Sequence, residues 1–277
     1  MTGERPQVLK FGGELLEDRA RLGTVVAALS AISAKGPIVI VHGGGKEIDA
    51  ALKTAGIEKR QVDGLRITDD ATLDVVVAVL AGAINTRFVA ALGRAGVPAV
   101  GLTGADDRCG LSQPAPPHRT VDGRLVELGR VGEPSDASGT RLLEHLVAEG
   151  FVPVVACIGV GADGQLFNVN ADTLAGHLAA RLQARRLIIA GTTAGVLDGQ
   201  GATIESLEPP DIARLIAGGT ATAGMVAKLT ACERALAHGT GEVVIVDGRD
   251  GTRLEAAAAG AAAGATRITR STVTRET

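Results

Sequence analysis

Six short apolar runs, at 7–11, 37–41, 97–102, 151–158, 186–191 and 242–248, are rich in Val and Ile and lack polar alternation. Runs of that kind fit parallel strands covered on both faces. Between them, residues 17–35, 46–55, 69–94, 138–149, 171–184 and 222–238 carry helical spacing, and Gly56, Gly96, Gly150 and Gly239 stand where C-terminal caps belong. The alternation predicts an α/β sandwich. Asp-Gly pairs at 122–123, 163–164 and 198–199 predict rim hairpins. The Ala-rich stretch after residue 251 predicts a last helix, followed by a strand at TRIT and a frayed end at STVTRET.

With 45% apolar residues among 277, the chain can bury the core of one domain, here expected to span 1–277 with lobes of about 1–185 and about 186–277. A net charge of −3 leaves no broad basic face for nucleic acid or an anionic membrane. Four Phe and no Trp or Tyr remove the stacking platforms of single-strand binders. The longest apolar stretches, near 73–84 and 151–162, read as too short to span a bilayer. Three scattered Cys and a charged N-terminus predict a cytoplasmic protein without a disulfide framework. No pair among the five His has metal-ligand spacing, so no protein-held metal is expected.

The first strand ends in Lys10-Phe11-Gly12-Gly13 and the second in His42-Gly43-Gly44-Gly45-Lys46. In a parallel sheet both loops fall at carboxyl ends, where backbone N–H groups and a following helix can receive an anion. Neither is a P-loop: residue 40 is Ile and Glu47 replaces the Ser or Thr that would hold magnesium. Gly159 to Gly164 match GxGxxG but run into QLFNV, so a hairpin is expected there, not a dinucleotide site.

Six lysines stand against 22 arginines, and Lys228 is the only lysine after residue 59. A lysine kept in an Arg-rich chain suits a compact, mobile charge of the kind that neutralises a transferring phosphoryl group; a chance surface lysine fits the count equally. Asn168 to Asp172 read either as a helix cap with an acidic first turn, or as a substrate amide contact beside an acid that orients cations. Arg66 reads either as a surface residue or as the partner of a substrate carboxylate. Cys109 has no evident base beside it and reads as incidental, and Lys59 and Arg60 have no assigned role.

Taken in order, VLKFGG (8–13), VHGGG (41–45), GLR (64–66), FNVNAD (167–172), AGVLDGQG (194–201) and AGMVAKL (223–229) resemble the N-acetylglutamate kinases of the amino-acid kinase family. The resemblance spans nearly the whole chain. It implies a three-layer αβα sandwich around an open, mainly parallel sheet, with Lys10 and Lys228 stabilising the transferring phosphoryl group and Asp172 holding both ammonium groups. It further implies that Gly44, Gly45, Arg66 and Asn168 bind the acyl amino acid. Gly12, Gly13, Thr192, Thr193, Gly195, Leu197, Ala221 and Thr222 would bind ATP, with Mg²⁺ held mainly through the phosphates. Two departures stand out: Ala190 to Thr193 lack the family's usual Asp, and Ala223-Gly224 replaces Gly-Gly before Met225.

Kinases of acetylaminoadipate or of carrier-linked amino acids would carry the same motifs, and a non-catalytic amino-acid sensor is the alternative of another class. A homodimer is expected through the N-terminal lobe, with the apolar helix 69–94 (Val75, Val76, Val79 and Leu80) contributing. The six residues before the first strand are too few for the additional helix of ring-forming, arginine-inhibited members, so weak arginine inhibition is expected.

Overall fold

The computed structural model describes residues 4–120, 122–218, 223–261 and 263–270. Its main sheet has eight strands: β1 (Gln7–Phe11), β2 (Ile38–His42), β3 (Ala99–Thr103), β4 (Val152–Ala156), β5 (Arg186–Gly191), β6 (Ser206–Leu207), β7 (Val243–Asp247) and β8 (Thr266–Ile268). In space they lie in the order β6-β8-β7-β5-β1-β2-β4-β3. Six of them pair in parallel, whereas β8 runs antiparallel to β7 and carries β6 with it. Every residue of β1, β2 and β4 is buried, which accounts for their unbroken apolar sequence. Edge strand β3 is the contrast: no residue in it is fully buried.

Helices cover both faces. They are α1 (Arg19–Ser33), α2 (Gly45–Thr54), α3 (Asp70–Arg94), α4 (Arg141–Ala148), α5 (Ala171–Arg181), α6 (Pro209–Ala217), α7 (Ala223–Ala237) and α8 (Gly251–Ala259). Adjacent β1 residues point to opposite faces. Phe11 meets Phe88 of α3 edge-to-face at 6.1 Å, while Lys10 turns to Asp172 of α5. The sheet is therefore sandwiched between these helices, as the three-layer expectation required.

Local sequence explains the ends. Gly56, Gly96, Gly150 and Gly239 all have positive φ, the conformation that ends a helix without steric strain. The pairs at 122–123 and 163–164 turn the chain between paired short strands, and 198–199 lie between the bridged residues Leu197 and Thr203. Strands Ile158–Val160, Leu166–Val169, Val131–Pro134 and Ser112–Pro114 form a second, four-stranded sheet. A fourth hairpin, Gln61–Val62 with Leu65–Arg66, turns at Asp63 and Gly64, both at positive φ. Helix α6 also went unpredicted; its start is fixed by Pro209 and by Asp211, whose carboxylate accepts from the Glu208 N–H at 2.8 Å. The last helix and strand form as expected, while the end expected to fray lies outside the described residues.

Helix α3 forms within the range expected, 69–94, and its 25 residues are long and apolar enough to cross a membrane by length and composition, which corrects the expectation that the stretch near 73–84 is too short to do so. One face of it packs in the core through Leu73, Val76, Val79, Leu80, Ile84, Phe88 and Leu92. Val76, Val79 and Leu80 are thus inside the protomer, leaving Val75 as the half-exposed member of the four named for a dimer contact. The π-helical stretch Ala78–Ile84 shifts the helical phase by more than the sequence spacing indicates.

Candidate active site

Lys10 is the fourth residue of β1 and only 7% exposed. Its Nζ lies 2.9 Å from Asp172 Oδ1, and Lys228 Nζ lies 3.6 Å from Asp172 Oδ2. Three chain segments make this cluster. The strand delivers Lys10; the Asn170 side chain caps α5 by accepting from the N–H groups of Asp172 (2.9 Å) and Thr173 (3.1 Å), which fixes Asp172 in the first turn. Helix α7 brings Lys228 because it lies close on α5: a methyl group on Gly176 would stand 2.9 Å from the Ala231 carbonyl oxygen.

Within these three residues one buried carboxylate serves two buried ammonium groups, leaving one positive charge over, and Glu14 adds a weaker negative contribution at Lys10. Burial would raise the Asp172 pKa, but the charges of Lys10 and Lys228 outweigh it and hold the carboxyl below its usual range. Burial likewise opposes the Lys10 charge, and Asp172 overcomes it, so the Lys10 pKa is raised. Lys228 goes the other way: burial and the neighbouring Lys10 together lower its pKa despite Asp172. Lys228 is thus the less compensated of the two ammonium groups and has more to gain from an incoming anion.

The two glycine loops flank this cluster. Gly43 N–H donates to the Phe11 carbonyl at 3.0 Å and Gly12 N–H to the Ala190 carbonyl at 3.2 Å, so both continue the β1 ladders past the strand ends. A methyl group on Gly13 would lie 2.6 Å from Gly44 Cα, and one on Gly44 would lie 2.1 Å from Ile84 Cδ1. Gly13 meets backbone and has no room for a side chain, while one at Gly44 would have to displace the ends of Ile84 and Leu80. Gly45, at the start of α2, opens on free space instead. Glu14 folds back so that its carboxylate lies against Gly12 on the side of β5.

Arg66 reaches the same end of the sheet from its hairpin. Its Nη2 donates to Asp49 Oδ1 at 2.5 Å and to the Gly45 carbonyl at 3.3 Å, while Nη1 is buried without a hydrogen-bond partner. Asn168 is pinned through Nδ2, which donates to Thr68 Oγ1 at 3.1 Å. Asp49 was missed in the sequence; the available signal was its position one helical turn after Gly45, on the same helix face. On the other side of β1, Thr192, Thr193 and Leu197 are exposed beyond the end of β5. Gly195 is buried instead, where a methyl group would stand 2.3 Å from Thr266 Oγ1, so its packing against β8 is what demands glycine. Ala221 and Thr222 lie outside the described residues.

A model of the amino acid kinase family matches residues 5–247. The chain belongs to the amino acid kinase family. Within it, the chain is similar to the acetylglutamate kinase of Novosphingobium aromaticivorans, with 40% identity over 252 residues, 87% of this chain and 83% of that protein. It is similar also to the acetylglutamate kinase of Methanopyrus kandleri, with 41% identity over 244 residues, 87% of this chain and 94% of that protein. Among solved structures, smu.665 from Streptococcus mutans UA159 has a TM-score of 0.76 at 26% identity, covering 88% of this chain and 95% of that one.

In this amino acid kinase His42, Cys157 and Cys109 are packed into the fold. His42 is fully buried, with Nε2 3.0 Å from Asn85 Nδ2 and its pKa pushed down to about 4, by burial above all. Cys157 donates to the His42 carbonyl, and burial raises its thiol to about 12; Cys109 is likewise raised to about 12. Neither thiol is poised as a nucleophile. Among the described residues no three His, Cys, Asp or Glu side chains converge on a site for a metal ion.

Proposed function

We propose that this chain transfers the γ-phosphoryl group of ATP to the side-chain carboxylate of N-acetyl-L-glutamate, giving an acyl phosphate and ADP. The observation that carries this reading is the buried Lys10–Asp172–Lys228 cluster with its surplus positive charge, set between two glycine loops in a chain about 40% identical to acetylglutamate kinases.

The acceptor carboxylate is ionised at neutral pH, so no general base is required. The chemical difficulty is to bring one anion against another. An acceptor oxygen forms the new P–O bond as the bond from the γ-phosphorus to the β–γ bridging oxygen breaks, and charge spreads over the phosphoryl oxygens between them. Lys10 and Lys228 face that charge as mobile point charges, and Asp172 holds both without neutralising both. On the β2 side, Gly44, Gly45, Arg66 and Asn168 hold the acyl amino acid, Arg66 taking the carboxylate that does not react. On the β5 side, Gly12, Gly13, Thr192, Thr193 and Leu197 border the nucleotide, with Ala221 and Thr222 assigned there by sequence. Gly195 acts there by shaping the turn. A nucleotide-borne Mg²⁺ would find in Glu14, whose carboxylate lies against Gly12, an oxygen donor of the protein, and would supply neutralisation of phosphate charge. We read the chain as one cytoplasmic domain with lobes of about 1–185 and about 186–277, acting as a homodimer.

An ADP-release assay with hydroxylamine trapping tests the reaction. Mg²⁺- and acetylglutamate-dependent ADP with a hydroxamate product is expected. ADP formed with UMP or free glutamate but not with acetylglutamate would overturn the substrate assignment.

A further inference from the structure

Sequence assigns no role to Lys59 or to Asp49, and the structure pairs them. Asp49 is the fifth residue of α2, one turn beyond Gly45, and its two oxygens are shared: Oδ1 accepts from Arg66 Nη2 at 2.5 Å, and Oδ2 accepts from Lys59 Nζ at 2.7 Å. The Gly45 carbonyl takes a second bond from the same Nη2 at 3.3 Å. One end of the guanidinium is therefore fixed, while Nη1 is buried without a hydrogen-bond partner. A planar group held by one nitrogen has the other aimed. Nothing about the hairpin alone would do this, since Arg66 ends a two-residue strand at its edge.

We infer that Asp49 is the positioning residue of the acceptor site: it clamps Arg66 through Nη2 so that Nη1 meets the non-reacting carboxylate of the acyl amino acid. This rests on the reading of Arg66 as the carboxylate anchor. Lys59 has a separate part. An Arg66–Asp49 pair alone carries no net charge, and Lys59 restores one positive charge on the side from which an anionic substrate approaches. Partial burial would raise the Asp49 pKa, but the bonds from Lys59 and Arg66 outweigh it and hold the carboxyl below its usual range. Because Lys59 is 41% exposed, salt screens its contribution.

The test measures KM for acetylglutamate, kcat and the thermal midpoint in Asp49→Ala, Asp49→Asn, Lys59→Met, Arg66→Ala and the Asp49→Ala/Arg66→Ala double variant. Asp49→Ala is expected to raise KM about tenfold or more, the scale of a lost charge-assisted bond, with kcat within about twofold of the parent. Asp49→Asn keeps an oxygen for Nη2 and should recover part of the loss, its KM falling between the parent and Asp49→Ala. Lys59→Met should raise KM about two- to threefold, an effect that fades with added salt. The double variant should match Arg66→Ala, since there is nothing left to position. Should Asp49→Ala fail to fold, Asp49→Asn carries the test by its elevated KM at an unchanged thermal midpoint. Unchanged KM in the folded Asp49 variants, or additive losses in the double variant, would overturn the inference while Arg66→Ala alone still raised KM. Unchanged KM in Arg66→Ala would instead reject the anchor itself, and the inference with it.

Discussion

At Lys228 the cost of function is local and measurable. Its ammonium is buried beside another ammonium, with a share of one carboxylate, and its pKa is lowered for that reason. The unfolded chain holds that proton more tightly, so at neutral pH the charged lysine opposes folding. Asp172 has the opposite sign: its lowered pKa contributes stability that is present above the unfolded carboxyl pKa and lost as pH falls through the folded one. Urea unfolding should therefore find Asp172→Asn destabilised by about 3–5 kcal/mol, the usual result of stranding buried partners, and Lys228→Met unchanged or more stable. Lys10→Arg and Lys228→Arg should each lower kcat by about two orders of magnitude or more at a near-native thermal midpoint, since a planar guanidinium cannot put its charge where the ammonium sits. Near-native turnover in Lys228→Arg would remove it from the mechanism. His42 adds a pH signature. With a folded pKa of about 4 against an unfolded value near 6.5, it contributes stability fully above pH 6.5 that is lost between 6.5 and 4, at most about 3 kcal/mol. Urea titrations across that window should show His42→Gln with a shallower slope than the parent.

The elements were the part most legible in sequence, for a physical reason: a strand buried on both faces must be apolar throughout, and a helix must end where glycine permits it. The loops were legible as motifs but not as geometry. Gly13 and Gly44 approach each other within side-chain distance, a contact between residues about 30 positions apart that no local pattern encodes. Asp49 escaped because a solitary acid on a polar helix face looks like solvation until Arg66 is brought to it by a separate hairpin. Helix α6 escaped because Pro209-Pro210 reads as a loop unless their place in a first helical turn is recognised. The two kinds of glycine separate fold from function. Gly13→Ala forces backbone apart and should lower both the thermal midpoint and activity. Gly45→Ala meets nothing within 4 Å, so its midpoint should hold or rise, while KM for acetylglutamate should rise because the methyl enters substrate space. A Gly45→Ala enzyme with unchanged KM would remove Gly45 from the acceptor site.

For the whole molecule, the order of strands could be expected only from family resemblance, because hydrophobic pattern gives layers and not neighbours. The same limit applies to the valines expected at a dimer contact: a valine repeat says that one helix face is apolar, without saying whether the protomer's own core or a second copy covers it. Here the protomer itself buries the face with Val76, Val79 and Leu80, while only 33% of the helix's most apolar window is buried. The proposed homodimer would therefore use the unburied side of that helix, Val75 included, and light scattering on the purified chain should report twice the monomer mass. A monomer or a hexamer would count against it.

The placement of β1 between β2 and β5 has one more consequence. Strand spacing is about 4.8 Å, so the loops proposed to hold acceptor and donor hang from rails about 10 Å apart, with the lysine-bearing strand as the middle rail. The sheet then works as a ruler. Transfer needs reacting atoms within about 3.5 Å of each other, and slippage of either ladder by one residue would move its loop by about 3.3 Å, enough to take the partners out of range. Turnover should accordingly tolerate changes at the outer strands far better than any loosening of the two ladders that meet at β1, even at Gln7 or Arg186, at the opposite end of those strands from the chemistry.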